Sequence, residues 1–134
     1  MDLYADNILD HYRHPRKTGV LSSPTVAHTE VNASCGDEIT LQLHIVDDRI
    51  ADISWSGTGC AISQAGMSML SEEVVSKSIS ELHSFSPQTM FDLLNVPIGP
   101  RRLKCALLAL HTVKNAIHLH RDEPPQDWNA TMES

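Results

Sequence analysis

Between Ile39 and Trp55 the chain alternates apolar and polar residues, and after Cys60 it stops doing so. Ile39, Leu41, Leu43 and Ile45 fall on one side of an extended segment, with Thr40, Gln42 and His44 on the other. That is the period of a half-buried strand. Ala51, Ile53 and Trp55 repeat it beyond an Asp47-Asp48-Arg49 turn, and Val26 to Val31 adds a third, weaker strand. Gly57-Thr58-Gly59 is expected to break the sheet. From there Ile62, Ala65, Met69, Leu70 and Val74 fit one face of a helix running to about Val75.

Helical spacing frames this sheet on both sides. Tyr4, Ile8, Leu9 and Tyr12 form an opening helix ended by Pro15. Ser78 to His83 and Ser86 to Leu94 read as short helices, each with a serine cap. Beyond the stiff Pro97-Ile98-Gly99-Pro100 link, Leu103, Leu107, Leu110, Val113 and Ile117 make the buried stripe of a long helix that Pro124-Pro125 stops. The expectation is an α+β domain over 1–123, with an N-terminal helix, a small antiparallel sheet of about three strands and helices on one face. Residues 124–134 read as a loose, disordered tail. A chain of 134 residues is long enough for one hydrophobic core.

Three cysteines stand in three local settings: Asn32-Ala33-Ser34-Cys35-Gly36-Asp37, Gly59-Cys60-Ala61 and Lys104-Cys105-Ala106. Their long separations exclude a CxxC finger, so a shared site has to be assembled by the fold. Three thiolates and the Asp37 carboxylate suit a tetrahedral metal site. In an extended segment Cys35 and Asp37 point to one side, about 6.6 Å apart. Continued alternation would put them on the apolar face of Ile39, so either the site lies at the edge of that face or Gly36 breaks the register. Cys60 opens a helix, whose positive end favours a thiolate. Cys105 sits early in the last helix beside Lys104 and three residues after Arg102. The same facts also accommodate inert core cysteines or unrelated thiol chemistry.

Other chemistries find less support. The net charge of −7 argues against nucleic acid as a partner, although Arg13 to Lys17 and Arg101-Arg102-Lys104 are local basic clusters. No stretch of about 18 apolar residues exists to span a membrane. Met1 to Asp6 lacks the basic and apolar runs of a signal peptide, so a cytoplasmic, reducing setting is expected. None of the eight histidines adjoins a cysteine, and no H-E-x-x-H, Walker, GxGxxG or GxSxG pattern occurs. His111 and His118 share a helical face and, like the rest, read as surface or satisfied-core residues; His44 is expected to be exposed.

Taken together, these motifs resemble the iron–sulfur cluster assembly proteins IscU, SufU and the N-terminal domain of NifU. The resemblance rests on Asn7-Ile8-Leu9-Asp10-His11-Tyr12 with His14-Pro15-Arg16, on Asn32 to Asp37, on Gly59 to Ser63 and on Lys104 to Leu108, and runs from about Leu3 to Leu119. It implies that Cys35, Asp37, Cys60 and Cys105 hold zinc, or a transient [2Fe–2S] cluster or iron. It also implies a cysteine desulfurase of the SufS or IscS type as partner, with a downstream assembly complex or apo-proteins as acceptors.

Lys104 stands where the IscU branch has histidine, and Ile98 to Lys104 replaces that branch's Leu-Pro-Pro-Val-Lys segment, both of which look SufU-like. The inserted segment typical of SufU, between the second and third cysteines, is absent here. The reading that follows is a zinc-binding sulfur acceptor, a zinc-dependent sulfurtransferase. Cys35 takes the persulfide, Cys105 is the alternative acceptor, and Arg102 and Lys104 support the thiolate. Two rival readings are a scaffold for a labile [2Fe–2S] cluster and a structural zinc module for docking.

Overall fold

The computed structural model describes residues 5–133. Helix α1 (Asp6–Arg13) is followed by strands β1 (Val26–Asn32), β2 (Asp37–Val46) and β3 (Arg49–Thr58). Helices α2 (Ala61–Val74), α3 (Ile79–His83), α4 (Pro87–Leu94), α5 (Leu103–His120) and α6 (Trp128–Glu133) complete the chain. Tyr4, expected in the first helix, lies outside the described residues. The strands form an antiparallel sheet in the order β1-β2-β3. Asp47 and Asp48 both take positive φ, 53° and 59°, which gives the two-residue turn whose twist suits a hairpin.

The fold is the expected α+β architecture, and its register explains where expectation and structure part. Leu41 faces Trp55 and Leu43 faces Ile53 across β2 and β3, and all four are buried. Gly57 and Thr58 still pair with Ile39 and Glu38, so the sheet ends at Gly59 rather than at Gly57. On β1 the residues opposite Leu41, Ile39 and Asp37 are His28, Glu30 and Asn32. Beyond Val26, which faces Leu43, the inner face of β1 is therefore polar, which is why its alternation is faint in the sequence.

Helix α5 lies against β1 and β2 and is also packed by α2, α4 and α6. Enclosed this way, every residue from Cys105 to Ile117 is buried, not the one stripe that its apolar spacing predicts. Leu103, at the start of that stripe, is only half-buried. The buried polar residues of α5 are satisfied by specific partners, as burial requires. Lys114 Nζ donates to His83 O at 2.8 Å and Thr112 Oγ1 to Leu108 O at 2.7 Å. Helix α1 packs on α2 through Ile8, which is fully buried, and through a 2.7 Å bond between His11 Nδ1 and Ser68 Oγ.

The end of the chain departs from the expected loose tail. Residues 128–133 form α6, with Ala130 N donating to Asp127 Oδ1 at 2.8 Å. Thr131 is fully buried. His111 anchors this helix twice: its ring stacks on Trp128 with centroids 4.0 Å apart, and its Nδ1 lies 2.6 Å from Thr131 Oγ1. Asn115 Oδ1 accepts from Gln126 N at 2.8 Å, while Asn115 Nδ2 donates to Glu30 Oε2, also at 2.8 Å. Short polar and aromatic contacts of this kind leave no periodic trace in a sequence.

Burial holds the pKa of His111 below the ordinary imidazole value, with Glu30 opposing and His28 reinforcing the shift. Burial, then Arg16, lowers His11 as well. In both cases the unfolded chain binds more protons just below the ordinary histidine pKa, so stability rises with pH there. The urea midpoint should therefore fall from about pH 7.5 to about pH 5.5. His111→Gln should flatten that slope, and a midpoint that rose on acidification would contradict the neutral, buried state of both rings.

Candidate metal centre

The three cysteine motifs meet at the end of the sheet nearest the start of α5. Asn32 and Asp37 are the last paired residues of the β1–β2 hairpin, and residues 33–36 form its turn. Cys35 N and Gly36 N both donate to Asn32 O, at 3.2 and 2.9 Å. Gly36 takes φ 74°, a conformation that favours glycine. The register therefore holds as far as Asp37, at the edge of the apolar face, and breaks at Gly36. Asp37 is buried at 1% exposure, whereas Cys35 is carried out to an exposed position.

Cys60 is the residue immediately before α2. Its backbone N–H donates to Asp37 Oδ1 at 2.9 Å, which ties the helix start to the hairpin. Gly59 makes this approach feasible. It has φ 143°, and a Cβ there would overlap the Asp37 carboxylate. Cys105, in the first turn of α5, is buried at 4% exposure.

The ligating atoms of Cys35, Asp37 and Cys105 all lie within 4.8 Å of one another. Cys105 Sγ and Cys35 Sγ are 3.6 Å apart, close to the edge of about 3.8 Å that Zn–S bonds of 2.3 Å give a tetrahedron. Cys60 stands just outside this group of three. Its Sγ is 4.0 Å from Asp37 Oδ2 and 3.8 Å from Ser63 Oγ. The donor set, three sulfurs and one carboxylate oxygen, fits zinc or iron. Burial pushes the Cys105 thiol well above its usual pKa, and hydrogen bonds to Asp37 and Cys35 add to the shift. The net direction is upward despite the cations on either side of Leu103, so its thiolate depends on a metal or another positive charge at the site.

The two cations expected to act here part company. Lys104 lines a cleft with Cys35, whereas Arg102 lines a different one with Pro97 and Gly99. One residue of the site has no separate place in the sequence reading. Asn32 is 2% exposed, and its Nδ2 lies 3.4 Å from Asp37 Oδ2 and 3.8 Å from Cys105 Sγ. Its sequence signal is its place at the head of the Asn32 to Asp37 motif, with no role attached to its amide.

Residues 3–126 match the sequence profile of the NifU-like N terminal domain. The iron–sulfur cluster assembly scaffold protein IscU of Thermotoga maritima is 34% identical over 131 residues, covering 86% of this chain and 92% of that protein. The zinc-dependent sulfurtransferase SufU of Bacillus subtilis is 30% identical over 133 residues, covering 86% and 89%. The SUF-system iron–sulfur cluster assembly scaffold protein of Fervidobacterium islandicum superposes with a TM-score of 0.76 at 28% identity, covering 85% of this chain and 96% of that one. Profile, relatives and fold agree: the chain belongs to the NifU-like N-terminal domain family, together with IscU and SufU proteins of iron–sulfur cluster assembly.

Proposed function

We propose that this protein is a zinc-binding sulfur acceptor of iron–sulfur cluster assembly, supplied by a cysteine desulfurase in the cytoplasm. One observation carries the reading: an exposed thiol, Cys35, stands 3.6 Å from a buried one, Cys105, beside the buried Asp37 carboxylate. A site built only to hold a metal needs no ligand on the surface. One built to receive sulfur needs a thiol that a donor can reach.

Cys35, Asp37, Cys60 and Cys105 are the residues that would hold zinc, which supplies positive charge to keep thiols ionised. With zinc held by Asp37, Cys60 and Cys105, Cys35 would be available as a thiolate. The Cys35 thiolate then attacks the outer sulfur of the desulfurase persulfide. A new S–S bond forms on Cys35, the donor S–S bond breaks, and the donor cysteine leaves as a thiolate. Asp37 is a harder ligand than a fourth cysteine, so the site would hold a soft metal less tightly than four thiolates would. A downstream assembly complex or apo-protein then takes the sulfur.

The rival reading, a scaffold for a [2Fe–2S] cluster as cargo, draws support from the scaffold names of the Thermotoga and Fervidobacterium relatives. Against it stands Lys104 beside Cys105, because a protonated lysine has no lone pair for iron. The deciding experiment is desulfurase turnover on cysteine with and without the zinc-loaded protein. Stimulation supports sulfur acceptance. No stimulation, with a cluster forming from added iron and sulfide, supports the scaffold.

Cys35→Ala should abolish sulfur acceptance, measured as protein-bound persulfide. If Cys35→Ala retained it and Cys105→Ala lost it, the assignment of the acceptor would reverse. Zinc removal distinguishes the third reading, a structural zinc module. The apolar core on the sheet side of α5 does not include the four ligands, so chelation should lower the melting temperature while leaving the far-UV circular dichroism folded. Unfolding on chelation would mark the metal as structural.

A further inference from the structure

The cleft around Cys35 has a wall that comes from beyond the family match. Its volume is about 280 Å³, and its lining includes Ser34, Cys35, Arg101, Lys104 and Met132. Two of the lining residues are cations and none is a carboxylate, on a chain whose net charge is −7. Met132 belongs to α6, which begins after residue 126, the last one matched by the family profile. Trp128, also of α6, has Lys104 Nζ over its ring at 5.6 Å from the centroid. His111 also stacks on Trp128 and bonds Thr131 of the same helix.

We propose that α6 shapes the entrance to Cys35, with Trp128 as a positioning residue that holds the Lys104 ammonium at the rim, so that the cleft favours sulfur donors bringing negative charge to it. The inference rests on the proposed role of Cys35 as acceptor. A lysine side chain otherwise samples many rotamers, and fixing it costs conformational entropy. An aromatic face beneath the ammonium offsets part of that cost through cation–π attraction. Lys104 is thereby held near where a donor thiolate leaves as its persulfide sulfur passes to Cys35. Asp127 caps α6 through Ala130 N, and Glu30 bonds Asn115 and lies 3.6 Å from His111 Nε2. Neither carboxylate lines the cleft.

The test uses two alkylating reagents that differ in charge, iodoacetate and iodoacetamide, on the full-length protein. Labelling of Cys35 is followed by mass spectrometry of its peptide. In each case the Cys35 thiolate forms an S–C bond and iodide leaves, so metal occupancy and thiol ionisation cancel in the ratio of the two rates. By Coulomb's law in water, a positive charge roughly 7 Å from a reacting centre changes the rate for an anionic reagent by about threefold. Lys104→Gln should lower the iodoacetate-to-iodoacetamide ratio by that factor. Trp128→Ala should lower it similarly, and Trp128→Phe should restore it.

An unchanged ratio in Trp128→Ala overturns the positioning role, and an unchanged ratio in Lys104→Gln overturns the whole proposal. Lys104→Gln leaves the Trp128–His111 stack in place, so its result stands even if Trp128→Ala loosens α6. The ratio needs no desulfurase. A failure of the sulfur-acceptor reading would appear as absent stimulation of turnover with the ratio still charge-dependent.

Discussion

The structure of the site depends on one buried carboxylate. Asp37 is 1% exposed and accepts the Cys60 N–H at 2.9 Å, with the Asn32 amide 3.4 Å from its other oxygen. A buried carboxylate without such partners would cost several kcal/mol, so hairpin, helix start and amide are coupled at a single point. The coupling explains why the glycines stand where they do. Gly36 lets the hairpin leave the sheet with Cys35 outside, and Gly59 lets the chain pass against the carboxylate. It also joins elements distant in sequence. Asn32 reaches toward Cys105 of α5 as well as Asp37, so a change at either end is felt at the other.

What the sequence made legible follows from how locally each feature is specified. β2 and β3 have strict alternation and a short turn, and they appear in the structure nearly where the pattern puts them. α2 is legible for the same reason. β1 is faint because its inner face, after Val26, is His28, Glu30 and Asn32, with Glu30 meeting α5 through a hydrogen bond to Asn115 rather than apolar contact. Full burial of α5 could not be read from its stripe, since enclosure is a property of its neighbours. The convergence of Cys35, Asp37 and Cys105 was legible as motifs and the edge position as a dilemma. Asn32 was not, because an asparagine gains its meaning only from the sulfur and carboxylate that the fold brings to it.

The tail illustrates the limit of composition. Pro124-Pro125 ends the periodic pattern, and the residues after it are mostly polar, so a propensity reading stops there. Yet His111, Asn115, Gln126 and Thr131 form a closed set of hydrogen bonds around the Trp128 stack. Isolated helices of six residues are unstable in water. α6 persists because its partners are already fixed in α5, with the ordering entropy of that side already spent.

The three thiols are set apart by geometry more than by sequence neighbourhood. Cys105 is buried and its proton is held tightly; Cys35 is exposed at the mouth of a cleft that contains cations but no carboxylate. Cys60 is fixed through its backbone to Asp37. A metal shared among such unequal groups would not be held equally by each. The thiol that solvent can reach, on a turn beyond the last paired residues of the hairpin, is the one whose movement would disturb the least packed structure. Cys105 can leave only by disturbing α5, which is packed by the sheet on one side and by helices on others. The fold thereby gives the three thiols unequal reach: Cys105 is anchored in the core, and Cys35 stands on the turn, open to solvent.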